Sequence, residues 1–147
     1  MREYNKKIAD TISDCLDSES FHYTFDQDTG EFSFGMGINN RIHSVKYHIH
    51  VGEDCFVTYL STPLSPRDGN EEELARTAEY VTRVNYGLCQ GSMELDTDDG
   101  ELRFKVCVDC DGLEAPTKGM VMDSILVPLG TMKRYADGLV YMLYEMT

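Results

Sequence analysis

The sequence predicts an α+β domain in which an antiparallel β-sheet is packed by helices, in the order α-β-β-β-β-α-β-β-α. Apolar residues recur every three or four positions near the start, in the middle and at the end of the chain. Between those regions they recur every second position, in six runs, which is the period of strands with one buried face. Several of these runs are joined by short turns of Asp, Asn and Gly, which send the chain back antiparallel.

Residues 4–17 place Ile8, Ile12, Cys15 and Leu16 at helical spacing, with Lys6, Lys7, Asp10, Asp14 and Asp17 largely elsewhere on the wheel. From residue 20 the period becomes two. Phe21, Tyr23 and Phe25 lead into the turn Asp28-Thr29-Gly30, and Phe32, Phe34 and Met36 return as a hairpin. After a turn at Gly37, Ile38, Asn39 and Asn40, a third strand sets Val45, Tyr47, Ile49 and Val51 on one face and Ser44, Lys46, His48 and His50 on the other. A fourth, Cys55 to Leu60, follows the turn Gly52-Glu53-Asp54.

The stretch from Thr62 to Asn70 is dense in turn residues and reads as a loop. Asn70, with Glu73 three residues later, has the spacing of a capping box and opens a helix whose stripe is Leu74, Ala78, Val81, Val84 and Leu88, ending near Gly87 or Gly91. Met93 and Leu95 then point inward, Asp98-Asp99-Gly100 turns, and Leu102, Phe104, Val106 and Val108 point inward on the return. From Thr117 the chain is helical through Met120, Ile125, Met132, Tyr135, Leu139, Met142 and Leu143. Pro128 cannot donate to the Ser124 carbonyl, so a kink or two successive helices are expected there. The elements fill residues 1–147 as one domain.

Charge narrows the function. The 147 residues hold 26 acidic and 13 basic side chains, a net charge of −13, without the basic stripe that nucleic acid or an anionic membrane requires. Residues 91–115 alone carry eight acidic side chains against Arg103 and Lys105, so a basic partner is expected to meet the chain there. The polar start, Met1 to Lys7, has no apolar signal region, and no run approaches the roughly 18 apolar residues of a membrane span. Cys15, Cys55, Cys89, Cys107 and Cys110 are odd in number and read as small buried hydrophobes of a reducing cytoplasm.

Few residues suggest chemistry. His48 and His50 share one strand face and could give a metal two ligands, but a third is lacking: His22 stands elsewhere and His43 has the opposite parity. Cys107 and Cys110 form a lone Cys-x-x-Cys at a strand end, where neighbouring Asp109 and Asp111 disfavour a thiolate. Asp96 to Glu101 lacks the glycine and the final carboxylate of a calcium loop. With neither a nucleophile elbow nor a phosphate cradle, no enzyme activity and no cofactor is expected. The last helical region holds Met120, Met122, Met132, Met142 and Met146 among Tyr135, Tyr141 and Tyr144, an adaptable surface for a protein partner. Met132, Tyr135, Met142 and Tyr144 are the contact residues this suggests.

The stretch Glu79 to Gly87, continuing through Gly91 to Asp96 and Asp99 to Val106, resembles the YbjN family of proposed bacterial sensory-transduction regulators. The hairpin from Phe25 to Phe34 is also similar, and the resemblance spans residues 5–145, with Asn85 and the Asp99-Gly100 turn most distinctive. It implies a fold like that of type III secretion chaperones and no catalytic residues; Pro128 and the Met-rich last helix depart from the pattern. The expectation is a cytoplasmic, homodimeric protein-binding domain, chaperone-like or regulatory, in signal transduction or stress response. The alternative is a metal- or small-ligand-binding regulatory domain centred on His48 and His50.

Overall fold

The computed structural model describes residues 2–38 and 42–145. Its order is α1 (Lys6–Ser18), β1 (Thr24–Asp26), β2 (Glu31–Gly37), β3 (Ser44–Val51), β4 (Cys55–Ser61), α2 (Glu71–Tyr86), β5 (Ser92–Leu95), β6 (Leu102–Asp109) and α3 (Lys118–Val140), closed by a π-helical turn, Tyr141–Glu145. The strands form one antiparallel sheet in the order β1-β2-β3-β4-β6-β5. The α+β order is therefore the expected one. Asn39 and Asn40 of the predicted turn, and Met146, lie outside the described residues.

Strand parity follows the hydrophobic pattern. Phe32, Phe34, Val45, Tyr47, Ile49, Val51, Phe56, Leu60, Leu102 and Phe104 point inward and are buried. They share one core with Ile8, Ile12 and Leu16 of α1 and with Val121, Ile125, Met132 and Leu139 of α3. At its centre Phe34 and Tyr47 stack with ring centroids 4.9 Å apart. Gly30 takes φ +73°, the left-handed value that the first hairpin turn requires. β1 is shorter than the alternation suggested, because only Thr24 to Asp26 finds ladder partners on β2.

Three expectations need correction. The buried residues of α2 are Glu73, Thr77, Val81 and Val84, while Leu74 and Ala78 are only half-buried and Leu88 falls beyond the helix. Polar groups take the buried positions because each finds a partner. Asn70 Oδ1 accepts the Glu73 N–H at 2.9 Å, and the Glu73 carboxylate, instead of closing a reciprocal box, accepts from Arg67 N, Nε and Nη2 at 2.7, 2.9 and 2.6 Å. Thr77 donates to the Glu73 carbonyl at 2.7 Å. Second, of the kink or two successive helices expected at Pro128, the division into two does not occur: α3 runs through the proline as one helix. One turn before the proline, the Ser124 hydroxyl binds the Val121 carbonyl at 2.7 Å and Tyr47 donates its hydroxyl to the Ile125 carbonyl at 2.7 Å, which anchors this stretch of helix to the sheet. Third, the cysteines are not uniformly interior: all five are free, Cys15 and Cys110 are buried, Cys55 is half-buried, and Cys89 and Cys107 are exposed.

Candidate functional site

Helices lie against one face of the sheet, and the other is open. Its outward residues are those of the opposite parity: Ser33 and Gly35 on β2, Lys46, His48 and His50 on β3, Val57 and Tyr59 on β4, Arg103, Lys105 and Cys107 on β6, and Glu94 on β5. None of them is buried. Arg103 lies over the Tyr59 ring at 4.3 Å and donates to Glu94 at 2.8 Å, and Lys105 reaches the other Glu94 oxygen at 3.0 Å. Partial burial pushes the Glu94 carboxyl up, but the hydrogen bonds from Lys105 and Arg103 outweigh it and hold the group below the usual range. Both cations of this hairpin are thereby occupied by one carboxylate.

His48 and His50 stand together on the open face, as strand spacing requires. The Nδ1 of His48 lies 3.0 Å from Glu31 Oε1 and 3.1 Å from Ser33 Oγ, so that nitrogen faces protein partners. Among the described residues no three His, Cys, Asp or Glu side chains converge in a geometry that would hold a metal ion. Cys107 and Cys110 separate: Cys107 is exposed on the open face, whereas Cys110 is buried, its thiol 3.8 Å from the Val108 carbonyl. Burial, with Cys55 and Asp109 close by, pushes the Cys110 thiol up and keeps it protonated.

The contact residues expected on the last helix divide. Met132 and Met142 are 0% and 6% exposed and fill the core, so the sequence-based expectation of a Met surface there is corrected. They turn inward because α3 packs against β4, β6 and α1, and the π-helical turn that closes it meets α2, where Thr77 Oγ1 lies 3.8 Å from Met142 Sδ. Tyr135 is half-buried, and its carbonyl accepts from Tyr80 at 3.1 Å. Tyr144 is 52% exposed, with its hydroxyl on the Ser65 carbonyl at 3.3 Å. Tyr141, Leu126 and Tyr86 are the other large apolar side chains left in solvent along the helices among the described residues.

The sheet also has an unfinished edge. β6 pairs with β4 from Arg103 to Asp109, but β5 covers its other side only from Leu102 to Lys105. β5 begins no earlier because Gly91, at φ +69°, turns the chain away; a Cβ there would stand 2.8 Å from the Lys105 carbonyl oxygen and 2.9 Å from Val106 Cγ2. Beyond that point Val106 and Val108 keep inward parity yet are only half-buried. They border a cleft of about 340 Å³ whose other walls include Met120, Asp123 and Val127 of α3.

The site is thus an antiparallel sheet with one face open and part of one strand edge unpaired. At the level of sequence no family profile and no curated protein matches the chain. At the level of structure the likeness covers nearly the whole chain. A chain of the HopA1–SchA chaperone–effector complex superposes with a TM-score of 0.55 at 12% identity, over 87% of this chain and 91% of that one. YbjN from E. coli, described as a candidate transcription regulator, gives 0.58 at 12% identity, over 90% of each chain. A chain of the ExsC–ExsE complex gives 0.56 at 10% identity, over 94% and 97%. The fold is that of YbjN and of the type III secretion chaperone complexes, as the sequence resemblance implied.

Proposed function

We propose that this chain is a non-enzymatic, chaperone-like protein-binding domain that holds a segment of a partner protein, acting in the cytoplasm as a homodimer within a signalling or stress-response route. The observation that carries the reading is the sheet itself: an open face and an uncovered strand edge, in a fold shared with a chaperone–effector complex. Two further features support its parts. Tyr86, 95% exposed at the end of α2 and beside edge strand β5, is an apolar group suited to cover by a second copy. The net charge of −13, concentrated on the β5–β6 hairpin and the loop after it, selects for a basic partner.

The test is capture of the tagged chain from its own source, followed by reconstitution. The expected result is a partner protein that stays bound through gel filtration and re-forms the complex from purified components. A chain that stays alone, or that turns over a substrate, contradicts the reading.

A further inference from the structure

We infer that the vacated edge of β6, Cys107 to Asp109, takes an extended segment of alternating basic and apolar residues from the partner protein, which joins the sheet as an added strand. This rests on the protein-binding reading above and gives it a place and a chemistry.

The ladder parity fixes which groups are available. Cys110 donates its N–H to the Asp54 carbonyl at 2.7 Å, and Thr62 donates to the Leu102 carbonyl at 3.3 Å, so the even-numbered residues of this strand bond toward β4. On the other side Asp96 donates to the Glu101 carbonyl at 3.0 Å, so odd-numbered residues bond toward β5. The N–H and C=O of Cys107 and Asp109 therefore face the side where β5 is missing. The neighbouring edge is partly closed: the Asn85 side chain accepts the Met93 N–H at 2.7 Å and donates to its carbonyl at 2.9 Å, taking the groups of one of the two β5 residues, Met93 and Leu95, that face away from β6. Nothing equivalent covers Cys107 and Asp109 among the described residues.

Alternation then sets the partner's side chains. A residue opposite Val108 would project inward, into the cleft with Val106, Met120 and Val127. A residue opposite Asp109 would lie on the open face beside that carboxylate. Asp109 and Asp123 have no ion pair among the described residues, while the nearby cations Lys105 and Lys118 are engaged by Glu94 and Glu19. An apolar residue flanked by Lys or Arg fits these positions. A second copy of the chain does not, since two-fold pairing on this edge would bring Asp109, Asp111 and Asp123 of both copies together.

The test uses a fluorescent synthetic heptapeptide of alternating lysine and valine, and its counterpart with glutamate for lysine. The lysine peptide is expected to bind wild type and to weaken as salt rises. The glutamate peptide and the Asp109→Lys variant should each lower affinity by about tenfold or more. Cys107→Pro, which removes an edge donor without changing charge, should weaken binding comparably, and the Cys107 and Asp109 amides should become protected from hydrogen exchange. Equal binding of both peptides overturns the site. So does binding that both variants leave unchanged, with protection on another strand. If wild type and Asp109→Lys bind a reconstituted partner protein equally, the edge site fails while the protein-binding reading stands; a chain that binds no protein at all defeats both.

Discussion

The side-chain amide of Asn85 clamps Met93 from both sides, accepting its N–H at 2.7 Å and donating to its carbonyl at 2.9 Å. One residue of α2 thus imitates a neighbouring strand at Met93 and blocks the middle of the outer edge of β5. Asn85→Ala leaves both Met93 groups half-buried and unpaired, and should lower unfolding free energy by about 2 kcal/mol in urea titration. It should also increase self-association, because an edge strand is uncovered. A loss below about 0.5 kcal/mol would mean that water replaces the clamp.

Thr58 and Ser124 join the sheet to α3 through hydroxyls 2.8 Å apart, both fully buried. Ser124 also donates to the Val121 carbonyl, so Thr58 is the donor between them. The two substitutions are therefore unequal. Thr58→Val leaves Ser124 with a partner, whereas Ser124→Ala strands a buried hydroxyl and should cost about 1 kcal/mol more. The double variant should be more stable than Ser124→Ala alone, and a denaturation cycle measures the difference.

Glu73 gives the fold an acid-sensitive joint. Hydrogen bonds from Arg67 hold its buried carboxyl below the ordinary range. Its folded pKa lies below its unfolded one, so the stabilisation is complete above about pH 4.3, the unfolded value, and fades as pH falls through the folded value. Wild type should lose stability faster than Glu73→Gln over that acidic interval, and the two slopes should converge at neutral pH. Parallel curves down to the onset of acid unfolding would show that Arg67 does not depress the group.

Much of this architecture is legible as periodicity. The inward set on β3 is correct to the residue, and on β2 Phe32 and Phe34 are buried while Met36 is half-buried, because a two-residue repeat admits only one buried parity. Failures arise where burial depends on distant chain. Met132 and Met142 read as surface because the last helical region is apolar around more than one face, and only the packing of α3 against the sheet and α1, and of its closing turn against α2, shows why. Glu73 reads as one half of a capping box because the cation that draws it into the core comes from a loop, at Arg67. Asn85 stands out in the sequence, but its role needs the position of β5. The unpaired edge left a trace: two inward residues on one arm of the last hairpin, Met93 and Leu95, face four on the other, Leu102 to Val108. Unequal arms imply an overhang.

Native mass spectrometry of the chain isolated under non-denaturing conditions from its own source tests the central claim most directly. A protein-binding domain predicts that the added mass is a polypeptide, at fixed stoichiometry, unchanged by a chelator and by His48→Ala with His50→Ala. A stoichiometric metal or small molecule as the only added mass, lost in that double variant, would contradict it.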